Sequence, residues 1–185
     1  MKVKIQYEGE KVSADKANAA EALPVVGMTS YGKQKLGEFT LDQTYDVEYT
    51  MNLGTAMGKG GIVYTINGKT YPETAPVHVK KGDLVKVKLV NDSPADLHPM
   101  HLHGHFFQVL SKNGKPMTGS PLIKDTLNLN GEEYVVAFKA DNPGNWMFHC
   151  HDLHHASAGM VTEVKYKDYK PDYTPNPNDT TNHPE

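Results

Sequence analysis

The chain has 185 residues, a net charge of −3 with both signs interspersed, and no basic block that would suit nucleic acid. No apolar run approaches the roughly 18–20 residues that a membrane-spanning helix needs. A single cysteine excludes an internal disulfide, yet ten histidines and eight methionines accompany it.

In chain order, residues 1–35 read as a lead-in. Val3 to Tyr7 alternates like a strand, and Ser13 to Leu23 is Ala-rich enough for a short helix ended by Pro24. Met1 to Tyr7 has no apolar h-region, so no secretory signal is expected at this start. From Phe39 the pattern turns to period two, first in Phe39-Thr40-Leu41 and then in Tyr45 to Tyr49. Lys59-Gly60-Gly61 reads as a turn. Ile62 to Ile66 runs into Asn67-Gly68, a strong hairpin signal. Val77 and Val79 precede Lys81-Gly82-Asp83, and Leu84 to Val90 alternates after it. Phe106 to Leu110 leads to Asn113-Gly114. Tyr134 to Phe138, Trp146 to Cys150 and Gly159 to Tyr166 complete the strands. Seven or more short strands separated by turns predict an all-β, Greek-key sandwich or barrel over residues 36–166. Residues 167–185, rich in Pro, Asn, Asp and Thr, read as a flexible tail.

Two histidine runs interrupt this β pattern: His98-Pro99-Met100-His101-Leu102-His103-Gly104-His105, and His149-Cys150-His151-Asp152-Leu153-His154-His155 followed by Gly159-Met160. Side chains at i and i+2 of a strand share a face. His101 then points with His103, and His149 with His151, while Cys150 points the opposite way, into the barrel. One cysteine, two histidines and a methionine are a soft N/S donor set, and a trigonal His2Cys group with a weak axial Met is the blue-copper pattern. The stretch from Cys150 through His155 to Met160 is expected to return like a hairpin, with His98 supplied by a separate strand. His105 reads as a packing residue rather than a ligand, and His154 as facing solvent. His78 and His183 read as ordinary, Trp146 and Phe148 as core, and Asp125 and Asp152 as exposed loop acids. The other methionines are scattered.

The two runs strongly resemble those of the C-terminal cupredoxin domain of multicopper oxidases, the laccase-like family. The resemblance implies the cupredoxin fold. It assigns His98, Cys150, His155 and Met160 to a type 1 copper, His101 to a type 2 copper, and His103, His149 and His151 to a type 3 pair. In the family, a small-molecule reductant is oxidised at type 1 and dioxygen is reduced at the trinuclear cluster. That cluster draws half of its eight histidines from an N-terminal cupredoxin domain, which carries His-x-His motifs. Before His98 this chain has only His78. Oxidase activity is therefore expected only if a second cupredoxin domain or self-association completes the cluster at the face formed by His101, His103, His149 and His151. The alternatives are a single-domain blue-copper electron carrier, a copper-binding protein without oxidase activity, and a zinc protein. Copper chemistry of this kind belongs outside the reducing cytoplasm, so an extracytoplasmic or secreted location is expected. Neither a nucleic-acid nor a membrane partner is expected.

Overall fold

A computed structural model describes residues 8–9, 27–93 and 95–172. The strand expected at Val3 to Tyr7 and the helix expected at Ser13 to Leu23 lie outside these residues. Twelve strands occur among the described residues: β1 (Val47–Gly58), β2 (Gly61–Ile66), β3 (Val77–Val79), β4 (Leu84–Asn91), β5 (Leu97–Leu102), β6 (Phe107–Lys112), β7 (Lys115–Pro116), β8 (Leu122–Lys124), β9 (Thr126–Asn130), β10 (Glu133–Lys139), β11 (Asn145–Cys150) and β12 (Val161–Tyr166). One short helix, α1 (Leu153–Ser157), separates the last two.

The strands form two sheets. The first runs β2-β1-β4-β10-β6-β7, with β8 also on β6, and the second runs β3-β12-β11-β5-β9. Strand β4 shows why the sheets face each other. Val85, Val87 and Leu89 are fully buried, and Lys86 and Lys88 point away. A one-residue slip would drive both lysines into the core, so the pairing of Tyr49 with Val87 and Met51 with Leu89 is tightly specified. The inner faces meet in one cluster that includes Met51, Val87, Leu89, Phe107, Leu129, Tyr134, Val136, Phe138 and Phe148. Each such side chain contributes about 1.5–3 kcal/mol on burial.

Both Asn-Gly pairs make the expected turns. Asn67 and Gly68, and Asn113 and Gly114, all have positive φ. After Asn67-Gly68 the chain pairs back only through an Ile66–Lys69 bridge rather than a second full strand. Lys81-Gly82-Asp83 joins strands of different sheets, since β3 pairs with β12 and β4 with β1 and β10. Phe39 to Leu41 is not a strand. Phe39 and Tyr45 instead bury their rings with Leu110 and Ala137 in a second, smaller cluster.

Candidate metal centre

The two histidine runs become neighbours because β5 and β11 pair antiparallel in the middle of the second sheet. Phe148 lies opposite Leu102, His149 opposite His101, and Cys150 opposite Met100. Beyond the ladder, the His151 N–H donates to the Pro99 carbonyl at 2.6 Å. Alternation then sorts the side chains by face, as the period-two pattern predicts.

On the inner face, Cys150 is fully buried beside His98, also fully buried, and His155, which is 9% exposed. The Cys150 Sγ lies 3.9 Å from His98 Nδ1 and 3.6 Å from His155 Nδ1. The two Nδ1 atoms are 3.2 Å apart. The three donor atoms lie within 4.8 Å of one another, close enough to hold one metal ion. Burial, and then the neighbouring His155, hold His98 below the usual imidazole range, and burial does the same to His155. Burial also pushes the Cys150 thiol up to about 11. Thus the pocket alone keeps the sulfur protonated, and only a bound cation would make it a thiolate. Among the described residues, His98 Nε2 is buried without a hydrogen-bond partner. A proton on that nitrogen leaves the Nδ1 lone pair facing the thiol. The donor set therefore fits a soft or borderline metal such as copper.

Met160 closes the loop and is fully buried. Its N–H donates to the His155 carbonyl at 3.0 Å, and its own carbonyl accepts the Cys150 N–H at 3.1 Å. The return between Cys150 and Met160 is expected to be hairpin-like, but it contains α1. Asp152 caps that helix, accepting from the N–H groups of His154 and His155. Its other carboxylate oxygen is 3.8 Å from His155 Nε2.

On the opposite face, His101, His103, His149 and His151 gather. Ring centroids are 4.7 Å apart for His101–His103, 5.0 Å for His103–His149, 5.5 Å for His101–His151 and 5.9 Å for His149–His151. His149 and His151 both lie on this face, as the alternation predicts; His151 is exposed, whereas His149 is 3% exposed. Its strand is central in the sheet, and the surrounding rings cover it. Burial takes His149 down to about 4. Its Nδ1–H donates to the Cys150 carbonyl at 2.8 Å, leaving Nε2 as a lone pair 2.9 Å from His103 Nε2. His101 Nδ1 is likewise engaged, by the Asp125 carbonyl at 3.1 Å and Thr126 Oγ1 at 2.9 Å. Fixing Nδ1 in this way presents Nε2 to a ligand.

Other residues support this arrangement. His105 is buried, as its packing role predicts; its Nδ1 approaches the His103 carbonyl at 3.3 Å and its Nε2 the Tyr166 hydroxyl at 2.8 Å. His154 is exposed, Phe148 is core, and Trp146 packs against that core. Asp125 acts through its carbonyl rather than its carboxylate. Thr126, Tyr166 and Tyr64, whose ring stacks on His155 at 3.7 Å, escape sequence reading. Each reaches the site from a strand distant in sequence, and none belongs to a residue class that signals metal binding.

Comparison with known proteins agrees with this geometry. The multicopper oxidase family profile matches residues 38–170. The multicopper oxidase MmcO of Mycobacterium tuberculosis is 38% identical over 126 residues, covering 68% of this chain and 23% of that protein. Copper resistance protein A of Escherichia coli is 33% identical over 106 residues, covering 57% of this chain and 17% of that protein. Among solved structures, the multicopper oxidase mgLAC superposes with a TM-score of 0.61 at 34% identity, covering 68% of this chain and 45% of that one. A blue copper oxidase from Nitrosomonas europaea gives 0.56 at 34% identity, covering 64% and 43%. The chain thus spans less than half the length of each of these relatives. With the profile covering most of its length, it belongs to the multicopper oxidase family, a family that binds copper, as a domain of the cupredoxin type.

Proposed function

We propose that this domain holds a type 1 copper at His98, Cys150, His155 and Met160 and contributes half of a trinuclear, oxygen-reducing copper cluster through His101 (type 2) and His103, His149 and His151 (type 3). One observation carries the reading: three consecutive residues of the β11 end serve both groups. Cys150 enters the buried triad, and His149 and His151 enter the four-ring cluster. Copper at these positions would supply reversible one-electron chemistry.

The chain's own residues prepare both places. Two neutral imidazoles offer Nδ1 lone pairs to the triad, and Cys150 gives up its proton as the metal is loaded. The hydrogen bonds to Asp125, Thr126 and Cys150 hold the His101 and His149 rings with Nε2 forward. Main-chain bonds join Cys150 directly to both neighbouring histidines, so the two groups share a very short covalent path. The other half of the cluster comes from a second cupredoxin domain or from another copy of this chain, since four histidines of one face can meet four of another across a two-fold axis. In such an assembly a small-molecule reductant is oxidised and dioxygen consumed, outside the reducing cytoplasm. Among the described residues, no helix is long and apolar enough to cross a membrane.

Metal counting on copper-reconstituted chain, alongside its mass in solution and its oxygen uptake with an organic reductant, tests this. The expected result is a blue copper in every chain, with additional copper and oxygen uptake appearing together in the assembled form. Blue copper alone at every assembly state, with no oxygen uptake even beside a partner domain, would contradict the half-cluster.

A further inference from the structure

Tyr64 belongs to neither histidine run and sits on β2, in the opposite sheet from the strands that carry His98 and Cys150. Its ring stacks on His155 at 3.7 Å between centroids and 23° between planes. It also lies edge-on to His98 at 6.2 Å and to His154 at 5.8 Å. The strand is clipped to the ligand loop, because the Tyr64 N–H donates to the Ala158 carbonyl at 3.1 Å. Next to it, Gly159 (φ 117°) lets the loop approach: a Cβ there would meet the Thr70 side chain at 2.6 Å and the Tyr64 carbonyl at 3.1 Å. The Tyr64 hydroxyl makes no hydrogen bond among the described residues, so what it brings to the site is the flat face of its ring. His155 is only 9% exposed, whereas Tyr64 is half-buried.

We propose that Tyr64 is a positioning residue of the metal centre: its ring sets the plane of the His155 imidazole, aiming Nδ1 at Cys150, and shuts water out. This rests on His98, Cys150 and His155 holding copper. Two physical consequences follow. Without the ring, His155 samples other rotamers, and metal binding must pay the entropy of ordering it. Water also reaches the centre, favouring the more highly charged oxidised form, so the reduction potential falls.

The test compares Tyr64→Ala, Tyr64→Leu and Tyr64→Phe with the parent chain, and uses Met57→Ala as a surface control, since Met57 is 81% exposed. In the metal-free proteins, acylation of His155 by diethyl pyrocarbonate, localised by mass spectrometry, should be several-fold faster for Ala and Leu and unchanged for Phe and Met57→Ala. In the copper-loaded proteins, competition titration should show about tenfold weaker binding for Ala and Leu, with a lowered potential, and full rescue by Phe. Leu fills much of the same volume, so it carries the test should Ala not fold. Acylation rate, affinity and potential all unchanged in the Leu variant would overturn the role of Tyr64 while leaving the copper site intact. A parent chain that binds no copper at this triad would overturn both.

Discussion

Gly104 shows how one residue holds the second face together. Its φ of 69° lies in the left-handed region, and the Trp146 ring occupies the space a Cβ would need. That close approach lets the chain turn directly after His103 so that His105 can bury itself against Tyr166. Gly104→Ala should destabilise the chain by about 2 kcal/mol, read from the urea midpoint of the metal-free protein at unchanged m. The imidazoles also set a pH dependence. His98, His103, His105, His149 and His155 are all held below their unfolded value, near 6.5, chiefly by burial, and His149 at about 4. Between those values the unfolded chain binds more protons than the folded one. Stability of the metal-free protein is therefore full above about pH 6.5 and falls as pH drops towards 4. Thermal melts across this range should show it; a melting temperature flat from pH 7 to 4.5 would contradict the buried, neutral histidines.

At the scale of elements, the ligand loop depends on a helix of one turn. Asp152→Ala removes the cap of α1 and should cost about 1 kcal/mol. It should also weaken copper binding, because His155 is presented by that turn; Asp152→Asn, which caps as well, should restore the melting temperature. This turn was not legible in the sequence, since five residues are too few for a helical period to register. Strand β9 is legible in its letters, since Thr126 to Asn130 alternates apolar and polar residues and, in the fold, buried and exposed ones. The Tyr45 to Tyr49 alternation runs into β1 at Val47, but Phe39 and Tyr45 themselves lie outside any strand. Their spacing mimics strand alternation, but the two rings pack together with Leu110 and Ala137 in the smaller cluster. The β11 end is the most readable part, because in an extended segment a period of two divides Cys150 from His149 and His151.

Across the whole molecule, two sheets do different work. Both line the buried apolar layer about equally, and the first adds Tyr64. The second carries His98, His101, His149 and Cys150 on its central pair, β5 and β11, where antiparallel neighbours hold each strand in register, and α1 presents His155 beside them. The rigid middle of a sheet is a sound place for donor atoms that must stay close with no metal to gather them. Visible spectroscopy of copper-reconstituted protein addresses that centre most directly. The parent chain should show an intense sulfur-to-copper charge-transfer band, and Cys150→Ser, folded by circular dichroism, should lose it completely. A band that survives in the serine variant would mean that the Cys150 sulfur is not bound to the metal.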